Sequence, residues 1–207
     1  SVERVLAAHD LDDDSLPHHL PRAQRTLRIL LWCLASRLSH LPRHSFTVGV
    51  TAMARDFAGL LRKAVARVLW GPDSNDTIPD LAWLQAQLPI QQGGLGFRDP
   101  ELVAPAAHIA SWARALARIK TVPGIPDDLL DRPGPAMAQL RAAVTQWSEC
   151  MDVAGLDPTD TDPRVWQAAP AYKVQAALGK RIDALTLAKW TRSATTQDVA
   201  RRYHALG

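Results

Sequence analysis

Residues 51–70 read TAMARDFAGLLRKAVARVLW, and apolar side chains recur in this stretch every three or four positions. That spacing places them on one face of an α-helix. The predicted helix ends at Gly71-Pro72, because glycine is common just after a helix C-terminus and proline does not continue the helix. The positions predicted to be buried are Met53, Phe57, Leu60, Leu61, Ala64, Val65, Val68 and Leu69.

A second amphipathic helix is predicted before it, from Pro21 to about His40, with Pro42 ending it. Cys33 lies inside its apolar pattern and is predicted to be a small core residue. The leucines that define this helix are Leu27, Leu30, Leu31, Leu34, Leu38 and Leu41. The two helices together form the first predicted helical pair.

The rest of the chain also predicts helices. Asp99-Pro100-Glu101 is typical of a helix start, with Asp as N-cap and Pro at the first helical position. Further helices are expected over 79–88, 99–120, 136–153 and 171–190, with a last one that opens at Thr195 or Thr196. Nothing predicts a sheet. The expected fold is all-α, an irregular bundle of about seven or eight helices.

One short turn or hairpin interrupts the helices. Gly93, Gly94 and Gly96 permit positive φ, so the segment around them is predicted to bend sharply. Arg98 follows directly, and it can pair with Asp99, Glu101 or a phosphate. The sequence leaves these three partners open.

The chain divides by composition into four segments. Residues 1–14 form an acidic N-terminal segment, and residues 15–120 hold the basic helical pair, the glycine-rich turn and the helix after it. Residues 121–135 are a proline-rich linker, and residues 136–207 form a C-terminal helical region.

The net charge of +3 hides an uneven distribution of charge. Residues 15–72 carry nine basic side chains and one acidic one, whereas residues 73–163 carry six and thirteen. Residues 164–207 are basic again, with eight basic side chains and two acidic ones. A basic block of this kind attracts polyanions.

Composition excludes several classes of protein. With 47% hydrophobic and 22% charged residues the chain is globular rather than disordered, and no apolar run approaches the roughly 20 residues that span a bilayer. We therefore expect no membrane partner. Two cysteines make no disulfide framework and no secretion leader is visible, so the expected location is intracellular, nuclear or cytoplasmic. The chain starts at Ser1 and stops abruptly at Gly207, which suggests a piece of a longer protein.

No catalytic constellation stands out. Asp12–Asp14 are adjacent carboxylates, but they lie between helices and not on the rigid strands that metal sites use. His40 and His44 have metal-ligand spacing, but Pro42 breaks the helical register between them. Gly93–Gly96 lacks the Lys-Ser/Thr ending of a phosphate loop. We therefore expect no metal, no cofactor and no catalytic residue, and hence no enzyme activity in this chain.

The basic helical pair is the clearest functional signal. Its cations recur along stripes, every third residue on the first helix and a heptad apart on the second, and they are Arg22, Arg25, Arg28, Arg55, Arg62, Lys63 and Arg67. Asp56 is the only acidic residue in the two predicted helices. They predict contacts with nucleic-acid phosphates, which give affinity without base recognition. The alternative is a solvated face that the acidic middle segment neutralises, and charge alone leaves both open.

The chain has seven tryptophans, which is many for its length. Scattered about one to a helix, they are interpreted as core anchors and not as a base-stacking platform. They are Trp32, Trp70, Trp83, Trp112, Trp147, Trp166 and Trp190.

Residues 84–98, LQAQLPIQQGGLGFR, followed by AAHIAS at 106–111, form the most recognisable stretch. It resembles a segment downstream of the polymerase core in reverse transcriptase-like proteins of non-LTR retrotransposons. Two further stretches, within 20–43 and 173–194, are similar to that family in the expected order. The resemblance spans roughly residues 15–207.

The resemblance implies a thumb and post-polymerase helical region that grips the template–primer duplex. Its partners would be RNA, DNA or an RNA–DNA hybrid, bound through phosphates, and the remainder of the polymerase chain. The palm, with its paired metal-binding aspartates, would precede Ser1, so no catalytic residue is carried over.

A competing hypothesis is a protein–protein interaction module, such as a domesticated or truncated relic. It predicts charge neutralisation inside the fold and an exposed apolar patch.

Overall fold

The computed structural model describes residues 22–35, 40–71, 78–126, 128–154, 171–195 and 198. Within these residues every regular element is helical, so the predicted all-α class is confirmed there. The helices are α1 (Arg22–Ile29), α2 (His40–His44), α3 (Val48–Trp70), α4 (Asp80–Gln87), α5 (Pro100–Ile119), α6 (Pro135–Ala154) and α7 (Ala171–Ser193). The number of seven or eight helices stays a prediction, because part of it concerns residues outside these ranges.

The first predicted helix differs from expectation in two ways. Its α-helical part ends at Ile29, and the chain continues as a π-helix over Leu30–Ala35. The expected end at Pro42 is wrong, because Pro42 lies within α2. A proline is tolerated in the first turn of a helix, where its missing N–H has no intrahelical acceptor.

Helix α3 is the 51–70 stretch extended by three residues at its start. The Thr47 hydroxyl accepts a hydrogen bond from the backbone N–H of Val50 at 3.4 Å and caps the helix. Gly71, at φ 96°, donates its backbone N–H to the carbonyl of Arg67 at 2.9 Å. The predicted stop at Gly71 is confirmed.

The buried face of α3 is narrower than its apolar stripe. Four of the positions predicted to be buried are buried, namely Leu61, Ala64, Val65 and Val68. Leu60 and Leu69 are exposed, so the prediction is wrong for these two. The apolar stripe therefore extends beyond the part of the helix that its neighbours cover.

One other helix start, that of α5, agrees with the sequence. The Asp99 carboxylate accepts a hydrogen bond from the Glu101 N–H at 2.9 Å, and Pro100 is the first residue of α5. Near the C-terminus, the Thr195 hydroxyl accepts from the Asp198 N–H at 3.3 Å while the Asp198 carboxylate accepts from the Thr195 N–H at 3.0 Å. This reciprocal pair has the form of a capping box, and the helix predicted to open at Thr195 or Thr196 extends over residues outside the described ranges.

The larger hydrophobic cluster joins α5, α6 and α7, and we call it the central core. Ile109, Trp147 and Leu185 are completely buried there. Helices on both sides of the 121–135 segment therefore share one core. Its described residues before α6, 121–126 and 128–134, are turns and irregular backbone with a short 3-10 helix at Leu129–Asp131.

A second cluster joins α1, α3 and α4 and includes Leu30, Leu61 and Trp83. We call α1, its π-helical continuation and α3 the basic pair. The N-terminal part of α3 reaches the central core through Ala54, whereas its C-terminal part packs in the second cluster. Helix α3 thus connects the two clusters.

Candidate nucleic-acid interface

Helices α1 and α3 pack against each other, as the sequence predicted for the basic pair. Thr26 of α1 and Leu30 of its continuation are buried, and they mark the side that faces the protein. We call the opposite side the α1 strip. Its members are Arg28, Ile29 and Trp32, which are exposed, and Arg25, which is partly buried.

The expectation that the tryptophans are core anchors is wrong at two positions. Trp32 is 66% exposed and Trp70 is 50% exposed, and both belong to the basic pair. Trp83, Trp147 and Trp190 are buried as expected. Trp112 is partly buried, and Trp166 lies outside the described residues.

The π-helical turn explains why Cys33 lies outside, whereas Trp32 follows the exposed Ile29 by three residues and lies on the solvent side in either type of helix. In a π-helix the backbone hydrogen bonds join residues five apart instead of four, so each residue rotates less about the helix axis. The side chains after Leu30 therefore point in directions that differ from those in an α-helix. Cys33 would share the buried face of an α-helix with Leu30, but it is exposed here. The expectation of a core cysteine is therefore wrong, and the reason is a change of helix type that the leucine spacing does not reveal.

Arg28 lies next to Trp32 on the strip. Its guanidinium carbon is 5.8 Å from the centroid of the indole ring, which is within the range of a cation–π contact. The contact joins residues four apart in sequence and fixes both side chains at the surface. Arg28 itself is exposed.

The cations of α3 have unequal surroundings. Lys63 is exposed, and so is Arg55, whose Nε is 3.3 Å from a carboxylate oxygen of Glu101 at the start of α5. Arg62 is partly buried: it donates to the carbonyl of Ile78 and, at 2.6 Å, to the carboxylate of Asp80.

The heptad pair of α3 therefore points toward acids of α4 and α5. Arg25 and Arg67 are also partly buried, and Arg22 is the first residue of α1. Among the predicted cations whose side-chain burial is described, the exposed ones are Arg28, Arg55 and Lys63.

The glycine-rich segment is a tight turn. A short 3-10 helix, Ile90–Gln92, ends at Gly93 with φ 76°, and Gly96 has φ 80°. A Cβ on Gly94 would lie 2.0 Å from the carbonyl oxygen of Leu88, so only glycine fits there. The predicted turn is confirmed, and the hairpin alternative has no strand to support it within 78–126.

Arg98 takes a partner that the sequence did not offer. Its Nε and one Nη each donate to the Asp183 carboxylate of α7 at 2.8 Å, which is a bidentate pair. The guanidinium lies over Gly179, where a Cβ would be 3.1 Å from it. The hydrogen bond with Asp183 raises the pKa of Arg98. Arg98 thus fastens the glycine turn to α7.

His108 is a buried residue that sequence reasoning missed. Its Nδ1 is 2.7 Å from the carbonyl oxygen of Pro42, and its Nε2 accepts a hydrogen bond from Trp112 Nε1 at 3.1 Å. Nδ1 must carry a proton to donate to the carbonyl, and Nε2 must be unprotonated to accept from Trp112, so the two contacts together fit the neutral ring. Burial lowers the pKa of His108. The imidazole holds α2 against α5.

The described residues contain no group of three or more His, Cys, Asp or Glu side chains placed to hold a metal ion. His40 and His44 are both exposed on α2. The Asp12–Asp14 run lies outside the described residues. None of the described helices combines the length and the apolar character that crossing a membrane requires.

The function has to be inferred from this surface and its residues. Exposed cations and two exposed indoles lie on one helical pair, and acids of the neighbouring helices engage two of its arginines. No family model, curated protein or solved structure matches the chain.

Proposed function

We propose that the basic pair binds nucleic acid through phosphates, as the thumb-like helical part of a retroelement RNA-directed DNA polymerase that grips the template–primer duplex. The chain would contribute no catalysis of its own. One observation carries the proposal: two packed helices hold seven cations and one acid, and Arg28, Arg55 and Lys63 among them are exposed.

The physical argument is electrostatic. Each cation that meets a phosphate releases a condensed counterion, so affinity falls as salt rises. Such contacts position a protein on a backbone and need no particular base sequence. Helices α1 and α3 suit this task because residues 22–35 contain no acidic side chain and α3 contains only Asp56.

The link to a polymerase depends on the sequence patterns around Gly93–Gly96 and within 173–194. The described geometry of the turn, with its close approach at Gly94 and its clasp from Arg98 to Asp183, gives these residues a structural role. We therefore assign the glycine turn to the scaffold and the phosphate contacts to the basic pair.

A salt titration of RNA–DNA hybrid binding tests the proposal. We expect log K to fall linearly with log salt, and the double variant Arg55→Ala/Lys63→Ala to reduce the slope by about 2, one for each cation removed from a phosphate. Arg132→Ala is the matched control, because Arg132 is exposed, lies outside the basic pair and pairs with Asp128 at 3.1 Å. No binding at low salt, or an unchanged slope in the double variant, would contradict the proposal.

A second variant tests the same surface by removing a neighbouring acid instead of a cation. Asp80 is exposed and neutralises Arg62, so Asp80→Asn makes a cation of α3 more available. We expect tighter hybrid binding and a steeper salt slope in Asp80→Asn than in the parent chain.

The protein-interaction module remains a second candidate because two observations favour it. The Arg55–Glu101 and Arg62–Asp80 pairs, both at the surface, neutralise part of the basic pair with acids of the same chain. Val48 and Leu60, which both lie on α3, are exposed apolar residues. This candidate predicts no gain in polyanion binding for Asp80→Asn, and the two variants together separate the hypotheses.

A further inference from the structure

We infer that the α1 strip binds single-stranded nucleic acid, with a base stacked on Trp32 and a phosphate held by Arg28. The inference rests on the proposed function and narrows it, because it names an unpaired strand as the ligand of this part of the surface. It starts from the position of Trp32, which packing does not explain.

Trp32 is the most exposed of the described tryptophans, at 66%. Burying an aromatic side chain of this size contributes strongly to folding, and the central core uses Trp147 in that way. Trp32 contributes little of this kind. An indole left at the surface beside cations is instead typical of proteins on which nucleic-acid bases stack.

The local backbone holds this indole outward. Trp32 follows the exposed residues Arg28 and Ile29 by four and three positions, so it lies on their side of the helix, while Leu30, where the π-helical turn begins, is completely buried. π-Helical turns are rare and are found frequently at functional sites. The buried Leu30 anchors the turn, so the outward direction of Trp32 is built into the packing.

Arg28 gives the indole a charged neighbour. Its guanidinium, 5.8 Å from the ring centroid, holds the side chain by a cation–π contact. The guanidinium still has N–H donors for a phosphate, which the backbone of a stacked nucleotide supplies. Ile29, also exposed, extends the apolar surface on which a base or a sugar rests.

The ligand is a single strand and not a duplex because of how bases are presented. In a duplex the faces of the bases are stacked on one another, and only edges and backbone reach the protein. An unpaired strand offers a face to an aromatic ring, and every base has one. We therefore expect the strip to act with little sequence preference.

The test compares one oligonucleotide as a single strand and as a duplex, with the full chain and two variants. Trp32→Leu keeps an apolar side chain and removes the ring, and Trp70→Leu makes the same change at the other exposed tryptophan. We expect Trp32→Leu to weaken single-strand binding about 5- to 150-fold, to leave duplex binding unchanged and to abolish part of the fluorescence quenching that the strand causes. Trp70→Leu should retain the affinity for the single strand.

The outcomes separate the two proposals. If duplex binds with the expected salt dependence while Trp32→Leu leaves single-strand affinity unchanged, the proposed function stands and this inference is wrong. If neither form binds at low salt, both are wrong. An equal loss in Trp32→Leu and Trp70→Leu contradicts the assignment to Trp32, and so does binding to anionic vesicles with none to the oligonucleotide. Thermal melting of both variants checks that they fold.

Discussion

The central core and the basic pair use the same residue type in opposite ways. Trp147 and Trp190 are buried almost completely, at 0% and 2% exposure, whereas Trp32 and Trp70 keep half or more of their surface in solvent. Burial accounts for the first two. Burial does not account for Trp32 and Trp70. Both belong to residues 15–72, where basic residues outnumber acidic ones nine to one. The difference indicates that the central core stabilises the fold and that the basic pair presents a surface.

The largest expected effect is the difference in stability between replacing a buried tryptophan and replacing an exposed one with alanine. Trp147→Ala removes a completely buried side chain and leaves a cavity, so the free energy of unfolding should fall by about 3–5 kcal/mol. Trp32→Ala should cost less than about 1 kcal/mol, because the indole is mostly in solvent and an exposed cation–π contact such as that with Arg28 contributes about 0.5–1 kcal/mol. Urea unfolding of both variants measures the difference. Equal losses would mean that Trp32 is a core residue after all.

The glycine turn connects the two regions, and Gly94 is its tightest point. Gly94→Ala forces a Cβ against the Leu88 carbonyl and should lower stability by about 1–3 kcal/mol. Gly59→Ala is the matched control, because Gly59 is exposed within α3 and a Cβ there meets nothing within 4 Å. It should raise stability by up to about 1 kcal/mol, since alanine favours helix. Thermal melting distinguishes the two signs, and a stable Gly94→Ala protein would contradict the close approach.

Removing the clasp between the glycine turn and α7 should have an intermediate effect. Arg98→Ala breaks the bidentate pair and leaves Asp183, whose side chain is only 13% exposed, without that partner. We expect a loss of about 1–2 kcal/mol, at the lower end for charged hydrogen bonds because Arg98 is nearly half exposed. Arg132→Ala, which breaks an exposed i,i+4 pair, should cost at most about 0.5 kcal/mol. Similar losses in both, measured by urea unfolding, would show that the clasp adds nothing.

The smallest effect is a pH dependence at the contact between α2 and α5. The pKa of His108 is lowered in the folded chain by burial, so the unfolded chain takes up a proton more readily. The stabilising contribution of the neutral ring is complete above about pH 6.5 and is lost progressively as the pH falls below that value. His108→Gln should have a flatter stability curve between pH 7 and 5 than the parent chain. Parallel curves from urea unfolding across this range would contradict the prediction.

Local patterns predicted the helices well, because capping and periodicity are properties of neighbouring residues. The start of α5 at Asp99 and Pro100 and the stop of α3 at Gly71 both appear as the sequence indicated. Helix type was harder: the leucine spacing around Cys33 fits an α-helix, and only the structure shows the π-helical turn.

Long-range partners were beyond the reach of sequence patterns. Arg98 and Asp183 are 85 residues apart, and nothing near either of them indicates the other. Arg62 likewise contacts Ile78 and Asp80, 16 and 18 residues further along the chain, and nothing in the pattern of α3 indicates these partners. The sequence therefore predicted all seven cations as one surface. In the fold, Arg55 and Arg62 pair with acids of neighbouring helices, whereas Arg28 and Lys63 are exposed.

Photo-cross-linking tests the central claim most directly, because it asks which of the two regions touches nucleic acid. A single-stranded oligonucleotide carrying a photoreactive thiolated base is irradiated with the chain, and trypsin then releases the peptide 29–37, which contains both Trp32 and Cys33. We predict that adducts concentrate on this peptide and on peptides of α3, and that they decrease as salt rises. Adducts confined to peptides of α6 and α7, or none at low salt, would contradict the claim that the basic pair is the nucleic-acid interface.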